Sequence, residues 1–143
     1  MRRAVYISLL ALAIVIAGYG LITRGGGPKK QTRPIVVILH QTKNGDCEAQ
    51  LGKRPQHAFK GDEIAWEFIN TCDRDQNVTL AIKSGSTNPF TDSSAPWTIS
   101  AAAGNAGNPA EKVLTVAESA AGMYGFDIIV GGKTYDPKLE IDP

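Results

Sequence analysis

The chain has 143 residues, with 15 Lys/Arg against 14 Asp/Glu for a net charge of +1, and it is rich in turn formers, with 15 glycines and 8 prolines. The charge is unevenly split: residues 1–33 carry Arg2, Arg3, Arg24, Lys29, Lys30 and Arg33 and no acid, whereas residues 34–143 carry 9 basic against 14 acidic residues. A mildly acidic body without clustered cations excludes nucleic acid as a partner, and the lack of long helical periodicity beyond the N-terminus excludes a helical bundle.

Two arginines are followed by an uncharged run, Ala4 to Thr23. At about 1.5 Å rise per residue such a run spans roughly 30 Å, the hydrocarbon thickness of a bilayer. Tyr6 and Tyr19 lie near its ends, where amphipathic rings favour the interface. Residues 1–24 are therefore expected to be a transmembrane anchor with the lipid bilayer as partner. A cleaved signal peptide is the alternative, with Val15-Ile16-Ala17 before Gly18 as its cleavage site. Residues 25–33, inside "RGGGPKKQTR", are expected to be a flexible basic linker. Arg24, Lys29, Lys30 and Arg33 are then either solvated or in contact with anionic headgroups. Arg2 and Arg3 favour a cytoplasmic N-terminus, while the basic residues after the run pull the other way.

Residues 34–143 are expected to form one all-β domain. "PIVVILH" (34–40) is a short β-branched run, expected to be a strand covered on both faces. "NGD" (44–46) is a turn signal. After a Gly-Asp turn, "EIAWEFIN" alternates, with Ile64, Trp66 and Phe68 on one face. "QNVTLAI" repeats the pattern with Val78, Leu80 and Ile82 inward. Residues 83–110 are rich in Gly, Ser, Asn and Pro and are expected to be a long irregular excursion, a kind of loop that is often functional. "EKVLTVA" and "GMYGFDIIVGG" supply further strands, the second with Tyr124, Phe126, Ile128 and Val130 sharing a face. "KTYDPKLEIDP" turns at Asp136-Pro137 and ends with Leu139 and Ile141 inward. About seven strands in this length predict an antiparallel two-sheet Greek-key sandwich.

Three stretches carry a resemblance to cupredoxin-like domains: "GDEIAWEFIN", "VLTVAESAAGMYGFDIIVGG" and "YDPKLEIDP". The resemblance implies a type 1 copper site built from two imidazoles, a thiolate and a weak axial group. Val78 stands where it implies the first histidine. Ile128 stands where it implies the thiolate. "IVGGKTY" offers neither the second histidine nor a methionine. Valine and isoleucine have no electron pair to donate, so no metal and no other cofactor is expected. His40, Cys47 and His57 match no zinc or copper spacing, so His40 is expected at a strand end and His57 at the surface.

The cysteine pair and the fold type favour export, which places the domain on the periplasmic or extracellular side. In that compartment Cys47 and Cys72 are expected to form a disulfide; in the cytosol they would be free thiols. There is no G-x-S-x-G, P-loop, H-E-x-x-H or strand-to-helix G-x-G-x-x-G, and the domain is not expected to be an enzyme. The leading expectation is an accessory subunit or protein-binding module of a membrane complex. Phe90, Pro96 and Trp97 in the long excursion are the candidate contact residues, unless Trp97 folds back to cap its own sandwich. The second candidate surface is the end bearing Asp73, Arg74, Asp75 and Gln76 beside Gly131, Gly132 and Tyr135. The alternatives are an electron-transfer protein with unconventional copper ligands, and a receptor with a small-ligand pocket under the excursion.

Overall fold

The computed structural model describes residues 29–143. The expected anchor (1–24) lies outside them, and among the described residues no helix is long and apolar enough to cross a membrane. The body is two packed sheets. Ten strands form it: β1 Thr32–Gln41, β2 Cys47–Gln50, β3 Gln56–Phe59, β4 Glu63–Asn70, β5 Gln76–Ile82, β6 Trp97–Ala101, β7 Ala110–Thr115, β8 Gly122–Val130, β9 Lys133–Tyr135 and β10 Lys138–Asp142. One sheet runs β2-β1-β4-β7; the other runs β3-β10-β8-β5-β6, with β9 added to β8.

Two pairings depart from the antiparallel expectation. β1 lies parallel to β4 and β10 lies parallel to β3. The cause is the crossover after β2: the chain leaves the first sheet, adds β3 to the edge of the second, and returns as β4 on the far side of β1. Gly61 makes that return possible. Its φ of +77° lies in the left-handed region that only glycine adopts freely, and the Asp62 N–H closes the turn on the Phe59 carbonyl at 3.1 Å.

Alternation puts the expected residues in the core. Ile64, Trp66 and Phe68 of β4 face Val78 and Leu80 of β5 and Phe126, Ile128 and Val130 of β8, all fully buried. An aromatic chain crosses this core: Trp66 meets Phe126 at 5.4 Å between ring centroids, Phe126 meets Phe90 at 5.7 Å, and Phe90 meets Trp97 at 6.0 Å. The Trp66–Phe126 and Phe90–Trp97 pairs are edge-to-face, an arrangement that adds to the gain from burial.

Three expectations about the chain need correction. β1 is covered on one face only, because Val36 and Ile38 remain 41% and 38% exposed. The linker stops short of residue 33: β1 starts at Thr32, and the Arg33 guanidinium donates to the buried carboxylate of Asp62. The excursion 83–110 contains β6, whose residues Trp97, Ile99 and Ala101 alternate inward, and a short 3-10 turn at Asn105–Gly107.

Candidate functional site

The implied copper position lies between β5 and β8, which pair antiparallel with Leu80 opposite Ile128. Val78 and Ile128 are both fully buried members of the main core cluster. Aliphatic groups there offer no lone pair, and the residues present do not fit a copper ion.

The surrounding end of the sandwich is built around Asn70, the last residue of the "EFIN" strand. Asn70 is fully buried. Its Nδ2 donates to the carbonyls of Arg74 (3.0 Å) and Ala101 (2.9 Å), and its Oδ1 accepts from the Cys72 N–H (2.9 Å). Its own N–H donates to Asn105 Oδ1 at 2.6 Å. One side chain thus fixes the β4–β5 turn against β6 and the 3-10 turn. The sequence signal was present, because Asn70 continues the core-facing alternation of Ile64, Trp66 and Phe68 and a polar residue there asks for partners, but its partners lay up to 35 residues away.

The disulfide Cys47–Cys72 joins the same turn to β2, with 6.1 Å between Cα atoms. Asp73, Arg74 and Asp75 project from the turn so held and are exposed. Beside it, Gly131 and Gly132 have φ of +56° and +79° and form the two-residue β8–β9 hairpin turn. Lys133 follows and pairs with Glu48 and with Asp46. The Lys133 hydrogen bond holds the Glu48 carboxyl below its usual range, and Glu48 in turn raises Lys133. Tyr135 is half-buried, and its hydroxyl has no hydrogen-bond partner among the described residues.

The excursion corrects the first candidate surface. Phe90 and Trp97 are each only 5% exposed, so neither is free to meet a partner, while Pro96 is exposed. The Trp97 indole N–H donates to Asp92 Oδ2 (3.2 Å) and to Ser94 Oγ (3.1 Å). Lys112 donates to the same Asp92 oxygen at 3.0 Å and lies 5.8 Å from the Trp97 ring centroid. The Ser94 hydroxyl and N–H, then Lys112, hold the Asp92 carboxyl well below the usual range. Trp97 caps its own sandwich.

At the end of β4 away from Asn70, burial pushes the Asp62 carboxyl up, but the Arg33 guanidinium and the N–H groups of Gln31 and Phe59 outweigh it and leave Asp62 below the usual range. Lys29 and Lys30, the other described members of the expected headgroup-contact set, lie at this end and are exposed; Arg24 is outside the described residues. His57 is exposed as expected, but it is not alone. Glu140 and Asp142 stand beside it, and one ligating atom from each of the three falls within 4.8 Å of the others. His40 is half-buried, one residue before the end of β1 at Gln41.

No family model and no curated protein matches the sequence. Among solved structures the chain is similar to a multicopper oxidase at 16% identity and a TM-score of 0.46, covering 82% of this chain and 46% of that one. It is also similar to Fet3p, a multicopper oxidase that functions in iron import, at 13% identity and a TM-score of 0.46, covering 78% of this chain and 23% of that one. The McoA multicopper oxidase from the hyperthermophile Aquifex aeolicus matches at 9% identity and a TM-score of 0.45, covering 85% of this chain and 31% of that one. The chain therefore spans less than half the length of each.

Proposed function

We propose that this chain is a cupredoxin-like sandwich without type 1 copper, held at the outer face of a membrane by its N-terminal segment, and that it serves a membrane complex as an accessory, protein-binding subunit. The observation that carries the reading is the pair Val78 and Ile128: two aliphatic core residues occupy the positions where the resemblance implies ligands. The fold is kept and the means of reacting is lost, which leaves recognition.

The surface we assign to the partner is the β4–β5 turn with the β8–β9 hairpin. Asp73, Arg74 and Asp75 are exposed there, and the disulfide and Asn70 hold their backbone in one arrangement. Preorganised charges favour binding because less conformational freedom is lost on association. The long excursion no longer competes, since its aromatics are buried.

Extraction of native membranes in a mild detergent tests this reading. The chain is expected to leave the membrane only with detergent and to run in a complex, from which Arg74→Glu releases it. A chain running alone as a monomer would overturn the subunit reading, and a chain found in the wash without detergent would overturn the anchor. The electron-transfer alternative is read separately: Cu2+ added to the purified chain is expected to give no intense visible charge-transfer band.

A further inference from the structure

β1 outlasts its partner. It pairs with β4 from Thr32 to Leu39, but with β2 only from Ile38 onward. Beyond that point the chain of β2 turns away toward the other sheet, so the flank of β1 at Pro34–Val36 is left open. A recess of about 280 Å³ fills the gap. Ile35 and Leu51 give it apolar walls, Pro137 closes the far side, and Trp66 lines it from within. A second recess of about 250 Å³ continues it, sharing Gly52, Arg54, Pro137 and Lys138. The first alone approaches the lower end of the range for small-molecule sites, about 300–1,000 Å³.

Two observations say what would sit there. Trp66 is fully buried beneath the recess and gives it an aromatic, apolar floor. The rim, in contrast, is cationic: Arg54 and Lys138 border both recesses, and Lys53 borders the second. The one carboxylate in the lining, Asp136, is already paired with Lys83 at 2.5 Å. In a domain whose charge over residues 34–143 is acidic, this flank gathers three of its nine cations.

We propose that the cleft binds a small amphipathic carboxylate. Its apolar body lies between Ile35 and Leu51 over the Trp66 side chain, and its carboxylate meets Arg54 and Lys138. The site does not depend on the anchor, the partner surface or the absence of copper, and no residue of the excursion under which a ligand pocket was expected lines it.

The two tryptophans give the test its readout and its control. The full chain in mild detergent is titrated with 4-hydroxybenzoate while the indole 1H–15N resonances of Trp66 and Trp97 are followed. The Trp66 resonance is expected to move saturably and the Trp97 resonance to stay. The neutral 4-hydroxybenzamide, and the exposed double variant Arg54→Glu/Lys138→Glu, are each expected to weaken binding at least about tenfold, the effect of losing a charge-assisted hydrogen bond. No saturable shift of Trp66 up to millimolar ligand would overturn the proposal. So would equal binding of acid and amide, or a shift that the double variant leaves unchanged. Retained dispersion of the amide spectrum shows that the variant is folded, so a lost shift then counts as lost binding.

Discussion

The excursion 83–110, which carries β6, and the turn 71–75 both interrupt the regular strands, yet their side chains face opposite ways. The excursion turns its aromatics inward: Phe90 and Trp97 join the core, and Asp92 gathers Ser94, Trp97 and Lys112 over them. The turn sends its charges outward and is held from beneath by Asn70 and the disulfide. Length and composition did not separate a lid from a presenting loop. What separated them was whether the loop's own polar groups bond back across its aromatics.

Two variants break this contrast most strongly. Phe90 touches both Trp97 and Phe126, so Phe90→Ala removes the link between excursion and core. An expected loss of about 4 kcal/mol, the cost of deleting a buried phenylalanine, should be read by urea unfolding. A loss under about 1 kcal/mol would make the excursion a detachable loop after all. The next largest effect belongs to the turn. The disulfide closes a segment with a sequence separation of 25, for which chain entropy gives about 3.5 kcal/mol. Cys47→Ser/Cys72→Ser is expected to lose that much in the same measurement, with the m-value lowered no further than noise. An unchanged midpoint would mean that Asn70 alone fixes the turn.

Much of the sandwich was legible because period two is a local signal. Ile64, Trp66, Phe68, Val78, Leu80, Phe126, Ile128 and Val130 all face the core as alternation requires. β6 was missed although "WTISA" alternates, because the Gly, Ser, Asn and Pro around it read as loop. β1 was over-read for a related reason: a continuous apolar run predicts two covered faces, but among the described residues no element packs on its outer side, and Val36 and Ile38 stay exposed. The cleft was out of reach from sequence. It exists because β2 pairs with only part of β1, and register between distant segments is not written in either one. Arg33 shows the same limit. Basic composition assigned it to a linker, whereas its partner Asp62 is 29 residues away.

The smallest expected effect sharpens the comparison by pH. Asp92 has a carboxyl held below the usual range in the folded chain, so its folded form releases its proton more readily than the unfolded chain does. The stabilisation is fully present above the unfolded value, about 3.9, and is lost as pH falls through the lower folded value. Asp92→Asn should therefore destabilise the chain at neutral pH by less than either variant above, since the group is partly solvated. The gap to wild type should narrow steadily as pH drops below about 4. The Trp97 indole N–H resonance follows the same event locally, because that N–H donates to Asp92. It should shift in wild type over the acid range and stay flat in Asp92→Asn, while the Trp66 resonance stays flat in both. If Trp97 in the variant titrated like wild type, Asp92 would not be what ties the excursion down, and the contrast with the presenting turn would rest on Phe90 alone.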